Sequence, residues 1–465
     1  MAPQIKQLSH CNDSDNDTTE DETSSSSTTN EPQLRQQHQH QNDGGRLLSS
    51  LAATRKHGRS PVQLIRAVPS EYPSPLPFHL VWLARILALI VPALFYAGPF
   101  LLSLPITLLC LGNYRTAAAI FLVDVFLAYV PVQPWPRVRR VFQLWYELYD
   151  FHHNLLLQPP GDGANPNNHS ATLLSVEDDA LVTYATHPHG VIPIHGYLWC
   201  AFCDQHFPHR YGFGALTDIA MRLPLLRHLM SWLSSTSATK SVLMKRMMHN
   251  QDNLYILPGG VNEIFMACQG QHVIKTPRRG LMKLCLQTGS LVVPTYVFGA
   301  SDFFRQLATF GMEKSIQNKV SSIPANSSSS NNSSSSSNNN NNDATNWIGK
   351  IQKSISRSAR GGFTFFWGQY GLPLPYEKNH GGVKCCMVFG DPIEPTPGTL
   401  GYHHHENDSM MALKRKKKTC QPIPEPTEQQ IDDLQHRYTD ALVRLFQQYK
   451  AEAGYPEAEL VLRLI

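Results

Sequence analysis

The sequence predicts a layered α/β domain preceded by a membrane-embedded helical hairpin. Three observations carry this expectation. From about residue 175, apolar β-branched runs ended by Gly or Pro alternate with helix-length stretches. Residues 80–111 form one lipid-like run whose single charge is Arg85. Polar tracts and apolar tracts are segregated along the chain, so the apolar density is concentrated where a core or an anchor needs it.

Composition narrows the class. Lys+Arg 40 against Asp+Glu 36 gives a net charge of +4 in 465 residues, with only 16% charged. That is no nucleic-acid footprint, which calls for a clustered basic face. Hydrophobic content of 42% permits a large core. Nine scattered cysteines in so long a chain exclude a small disulfide scaffold and fit a reducing compartment. A polytopic transporter is excluded as well, because only one region is lipid-like.

The elements follow in chain order. Residues 1–60 read as a disordered tail, acidic and Ser/Thr-rich at 13–31 and Gln/His-rich at 36–42. No apolar stretch sits at the start, so no secretory signal is expected. The hairpin spans 78–132. Its first run is expected to break at Gly98-Pro99 and again at Pro105, and a second run, 116–130, carries Asp124. Arg55, Lys56, Arg59 and Arg66 flank it on one side and Arg137, Arg139 and Arg140 on the other. Basic flanks prefer the cytosolic side, so an even number of crossings is expected. Residues 135–465 form the α/β domain. Polar insertions interrupt it at about 322–346 and 400–422, the second carrying the basic cluster 414–418 and His403-His404-His405.

Four runs read as strands: 180–186, 253–260, 290–299 and 382–390. The first leads into His187-Pro188-His189-Gly190. Pro188 fixes its own φ and keeps His187 extended, and Gly190 lets the chain turn away. An imidazole held at a strand end suits a general base, with its near-neutral pKa and open face. Capping histidines or half of a metal site fit the same pattern. The next strand ends in LPGGVNE (257–263). The amides of Gly259 and Gly260 can face an oxyanion. Glu263 can orient an imidazole, polarise a substrate, or simply close a turn. At 276–290, Thr276 and Pro277 look like an N-cap and a first helical residue. Arg278, Arg279 and Lys283 then sit in the first turns, a phosphate-binding arrangement or a solvated basic helix end. Other chemistries lack their motifs. There is no G-x-S-x-G elbow, no HExxH and no Walker loop, and GFGALT (212–217) lacks a third glycine.

In this order the motifs resemble the type-2 diacylglycerol acyltransferase family, which includes monoacylglycerol and wax-ester acyltransferases. YATHPHG (184–190) is similar to its signature. MRLPLLRHLMSW (221–232), PGGVNE (258–263), the stretch 278–302, GQYGLPLPY (368–376), VFGDPIEP (388–395) and the segment 426–456 are similar to its later blocks. One departure is Phe151-His152-His153, where the family usually carries Tyr-Phe-Pro. The resemblance implies a glycerolipid-acyltransferase-like layered domain. It implies O-acyl transfer from acyl-CoA, the co-substrate, to diacylglycerol, with no other cofactor and no resident metal. Partners would be acyl-CoA, diacylglycerol and membrane lipid, with room for a homo-oligomer and no nucleic acid. The place would be the endoplasmic reticulum membrane and lipid droplets, the catalytic domain facing the cytosol. Within that frame His189 is expected to be the base and Glu263 its orienter. His187 anchors the turn with Pro188 and Gly190. Gly259 and Gly260 hold the oxyanion, and Arg278, Arg279 and Lys283 hold coenzyme A phosphates. Three rivals stand beside it: another acceptor such as monoacylglycerol or a fatty alcohol, a metal-dependent hydrolase using His187 and His189 as ligands, and a non-catalytic lipid-droplet scaffold.

Overall fold

The computed structural model describes residues 63–65, 70–151, 155–157, 179–206, 211–275, 279–307, 354, 364–403 and 417–463. The tail 1–60, the tract 322–346, residues 404–416 of the second insertion, and Thr276, Pro277 and Arg278 lie outside the described residues.

After a short strand β1 (Gln63–Ile65) comes α1 (Phe78–Cys110), joined to α2 (Tyr114–Tyr129) by residues 111–113. The two helices pack on each other. Asn113 caps the second, its side chain accepting from the Thr116 N–H at 3.4 Å. Contrary to the expected breaks, α1 is one 33-residue helix that runs through Pro92, Pro99 and Pro105. Two features support the continuity. Ser103 and Thr107 hydroxyls donate to the Phe100 and Ser103 carbonyls, at 2.9 and 3.0 Å, adding side-chain bonds in the stretch that holds Pro99 and Pro105. Leu223 packs so closely on Gly98 that an added Cβ would stand 2.9 Å from its Cβ, which leaves room for the glycine alone.

At ~1.5 Å per residue, α1 is about 50 Å long, well beyond a ~30 Å hydrocarbon core. Its first half is docked instead. Ala84, Ala88 and Val91, spaced four and three apart, are at most 1% exposed against the domain. The Trp145 indole N–H donates to the Ala84 carbonyl at 3.0 Å. Arg85 grips Glu377 with both prongs at 2.9 and 2.8 Å. From Phe100 onward the helix is largely bare, with Phe100, Leu102, Ile106 and Leu109 exposed.

The chain continues through α3 (Pro136–Val141), a 3₁₀ turn at Phe142–Leu144, α4 (Trp145–Leu148) and β2 (Leu155–Leu157). Then follow β3 (Val182–His187), α5 (Ile194–His206), β4 (Phe213–Leu216), α6 (Leu226–Trp232), β5 (Thr236–Ser237) and α7 (Lys240–Met248). After them come β6 (Leu254–Ile256), α8 (Gly260–Met266), β7 (His272–Lys275), α9 (Arg279–Thr288) and β8 (Leu291–Phe298). The last elements are β9 (Arg305–Gln306), β10 (Phe366–Trp367), β11 (Cys386–Phe389), α10 (Glu428–Tyr449) and β12 (Leu460–Arg463).

The main sheet has the order β1-β2-β11-β8-β3-β6-β4-β5. Strands β8, β3, β6, β4 and β5 are parallel, and β11 runs antiparallel to β8. All six residues of β3 are buried, as the central strand of such a sheet requires. Alternation along the strands splits the core into two. Tyr184, Val293, Met387 and Phe389 pack with Trp145, Tyr197, Phe202 and Leu229. Ala185, Val292, Tyr296 and Val388 pack with Met247, Leu281 and Leu442. The chain is thus a mixed α/β protein with helices on both sheet faces. The last helix, α10, opens on a capping box, Thr427 with Gln430, at 3.2 and 2.8 Å. Its Tyr438 hydroxyl donates to the Ala185 carbonyl at 3.0 Å, two residues before the histidine turn.

Candidate active site

Strands β3 and β6 lie side by side and parallel, pairing as far as Ala185 with Ile256. Their carboxyl ends therefore release two turns next to each other, the usual place for a ligand in an open α/β sheet. One turn is His187–Gly190 and the other is Leu257–Gly260.

Glu263, in the first turn of α8 and 1% exposed, joins them. Its Oε1 lies 2.6 Å from His187 Nδ1 and accepts the Lys275 N–H at 2.9 Å. Its Oε2 accepts the His189 backbone N–H at 2.8 Å. One buried carboxylate thus holds the first ring, the second backbone and the end of β7 together. Gly259 makes this fit. A Cβ there would stand 1.9 Å from Glu263 Cδ, so the acidic side chain folds back over the glycine. Gly190 has φ +67°, and a Cβ would stand 2.4 Å from the Ala300 carbonyl oxygen. Only glycine suits both the conformation and the approach. The His187–Pro188 peptide is cis.

The two imidazoles differ. His187 is fully buried; with the carboxylate as acceptor its Nδ1 carries the hydrogen, and Nε2 has no partner among the described residues. His189 is half-buried, and its Nδ1 sits 3.0 Å from the Gly190 carbonyl oxygen. A carbonyl only accepts, so Nδ1–H donates and Nε2 keeps the lone pair. Burial lowers the His189 pKa from its ordinary value, with the Gly190 and Glu263 contacts opposing. Its ring is therefore neutral at neutral pH and ready to take a proton. Glu263 orients the His189 ring only through the backbone; its direct ring partner is His187.

The remaining expected residues are placed less uniformly. The Gly260 N–H already donates to the Leu257 carbonyl at 3.1 Å, with φ +52° at Gly260, so Gly259 offers the freer amide. Arg279 begins α9 but is exposed and bound to α10, to Glu428 and, at 2.5 Å, to Asp432. Lys283 lies half-buried one turn later. Among the described residues no group of three or more His, Cys, Asp or Glu side chains is arranged to hold a metal ion.

Sequence reasoning passed over His195. It is fully buried in the first turn of α5, with Nδ1 3.0 Å from the Tyr255 hydroxyl of β6. Its ring also faces the Pro188 and His189 carbonyls, and burial pushes its pKa down to about 3. It packs beneath the histidine turn as a neutral ring. The available signal was a lone His in the apolar run VIPIHGYLW (191–199), a pattern that a core residue shares.

Residues 170–327 match the sequence profile of the diacylglycerol acyltransferase family. A mouse protein named Diacylglycerol O-acyltransferase 2-like protein 6 is 22% identical over 58% of this chain and 66% of its own length. The bovine 2-acylglycerol O-acyltransferase 1 is 24% identical over 60% of this chain and 68% of its own. The bovine Diacylglycerol O-acyltransferase 2 is 22% identical over 60% and 63%. The chain thus spans about two thirds of the length of these relatives. No solved structure matches it.

Proposed function

We propose, from the premise that the chain belongs to the diacylglycerol acyltransferase family, that it moves a fatty acyl group from acyl-CoA to the free hydroxyl of diacylglycerol and so makes triacylglycerol. The observation that carries this reading is His189: a half-buried, neutral imidazole whose tautomer is set by Gly190 and whose backbone is pinned by Glu263.

A thioester is already activated, so no acyl-enzyme is needed. The acceptor hydroxyl gives its proton to His189 Nε2 as its oxygen attacks the thioester carbonyl carbon. The carbonyl oxygen becomes an oxyanion, to which the Gly259 N–H donates. Collapse breaks the carbon–sulfur bond and expels coenzyme A thiolate, which takes the proton back from the imidazolium. The His187–Glu263 pair keeps the turn rigid, and a base so fixed contributes roughly 10²–10⁴-fold. Coenzyme A phosphates fall to the basic start of α9, at Lys283, with Arg279 joining once it exchanges Glu428 and Asp432 for a phosphate. The layered domain then works in the manner of glycerolipid acyltransferases. The bare apolar half of α1, with α2, embeds in the bilayer and delivers the lipid acceptor. The setting is the endoplasmic reticulum membrane and its lipid droplets, with the domain on the cytosolic side.

The test is transfer by the purified protein in mixed micelles. Radiolabelled oleoyl-CoA is offered with diacylglycerol, monoacylglycerol and a fatty alcohol in turn, and products are separated by thin-layer chromatography. Triacylglycerol is the expected main product, and release of free fatty acid alone would make the protein a hydrolase instead. A monoacylglycerol acceptor is the second reading, favoured by the bovine 2-acylglycerol O-acyltransferase, whose identity is no lower than that of the diacylglycerol enzymes.

A further inference from the structure

We infer that the outer side of the docked half of α1, together with the turn Gln369–Leu372, is a second membrane-contact surface, so that the α/β domain itself lies on the phospholipid leaflet instead of hanging from the hairpin. The inference rests on the membrane reading of α1 and is independent of the reaction that the histidine turn performs.

Docking hides only one side of α1. Phe78, Trp82, Ile86 and Ile90 recur at every fourth residue, and each is about half exposed or more. Trp82, Ile86 and Ile90 stand two positions from the buried Ala84 or Ala88, about 200° around the helix and so on its far side. The turn Gln369–Leu372 adds Tyr370, which is 79% exposed, and Leu372. Tyr370 lies close to the Arg85 guanidinium, so the turn adjoins the same helix. A water-facing surface rarely gathers large apolar side chains in one band. This band belongs to the helix that leads into the bare stretch from Phe100 to Leu109.

The polar groups under the band are satisfied within the protein, as contact with lipid requires. Arg85, the single charge of residues 80–111, is held by both oxygens of Glu377. The Tyr96 hydroxyl accepts the Phe366 N–H at 2.9 Å and lies 3.3 Å from the Thr364 and Phe366 carbonyl oxygens. Trp82 and Tyr370 are the residue types that favour the level of the lipid headgroups.

Charge sets the depth. Lys378, one residue past Glu377, is exposed and pairs with Asp150 at 3.2 Å, so the charges of the domain begin beside the docked helix. Such groups stay out of hydrocarbon. The docked half therefore lies along the interfacial layer with its apolar side sunk by roughly 5–10 Å, and the stretch beyond Gly98 enters the leaflet.

The test uses the full chain carrying Cys11→Ser and Cys110→Ser, reconstituted in phosphatidylcholine vesicles. The other cysteines among the described residues are buried or half-buried. A bimane fluorophore is placed on one introduced cysteine at a time, and its emission is read with nitroxide attached near the top of the lipid acyl chains. Tyr370→Cys and Ile86→Cys are expected to be quenched roughly twofold or more. Gln447→Cys is expected to change little, because it is exposed on α10, which packs on the opposite face of the sheet. Leu372→Cys reads the same turn should Tyr370→Cys not fold. Probes at 370 and 86 that respond to aqueous iodide and no more to the lipid nitroxide than the probe at 447 would overturn the inference. So would shielding from both quenchers, which would put a second copy of the chain on this face. Leu109→Cys separates the two premises: if it too escapes the lipid nitroxide, the membrane reading of α1 fails as well.

Discussion

Two regions of this molecule gather polar and basic side chains at the ends of regular elements, and they are built in opposite ways. At the carboxyl end of β3, His187 and Glu263 are buried, and a single carboxylate receives a ring nitrogen and two backbone amides within 2.6–2.9 Å. At the start of α9, Arg279 is exposed and spends its guanidinium on two carboxylates of α10. The first arrangement has lost its solvent and its freedom, so any charge that develops there meets dipoles already in place. The second remains in high dielectric, where each ion pair is worth little and can exchange partners. Chemistry needs the former and reversible capture of a polar head needs only the latter.

The largest expected break in that contrast is His189→Ala. Turnover should fall roughly 10²–10⁴-fold while circular dichroism stays native. Near wild-type turnover would remove the base from the turn. Gly259→Ala comes next. The new Cβ displaces the Glu263 carboxylate and its three bonds, so stability should drop by roughly 3 kcal/mol in chemical denaturation, with activity lost alongside. Unchanged stability would show that the turn tolerates another carboxylate position.

The pH dependence is the third. His195 has a folded pKa of about 3 and His189 one below its ordinary 6.5. Below pH 6.5 the unfolded chain binds protons that the folded chain refuses. Stability from these rings is therefore complete above 6.5 and declines as pH falls toward each ring's folded pKa, for His195 by at most about 1.4 kcal/mol per pH unit down to about 3. His195→Gln should flatten the slope toward pH 3. The acid limb of kcat/KM should lie below pH 6.5, and a limb above it would mean that another group titrates. Smallest of all is Arg279→Ala. Stability should change by less than ~1 kcal/mol, and the apparent KM for acyl-CoA should rise several-fold with the acceptor KM unmoved. Equal effects on both substrates would take the helix start out of the donor site.

Much of this architecture is local and is visible along the chain. The runs that became β3, β6, β8 and β11 announce themselves by apolar, β-branched composition ended by Gly or Pro, although each observed strand is shorter than its run. The last helix is as readable: its buried residues from Ile431 to Tyr449 recur at helical spacing behind a Thr427 cap. The turn glycines were legible too, because a strand that must stop and reverse needs residues free of a Cβ. Helix lengths were less so. In the block 221–232, α6 covers only Leu226–Trp232, since Pro224 disfavours helix at Leu223 and Leu225 sits at φ +62°.

Local spacing settled the long apolar run that forms α1, the histidine turn and the runs that became β3, β6, β8 and β11, because each is dictated within a few residues. Tertiary structure alone decided the rest. It matched Glu263 to the His187 ring and not to that of His189, though both lie about as far from it in sequence. It carried α1 unbroken through three prolines and satisfied Arg85 with a carboxylate 292 residues away. It also slipped His195 under the turn. These outcomes depend on gaps of a few ångströms between surfaces that meet only when the whole chain is packed, and no pattern within one segment encodes such a gap.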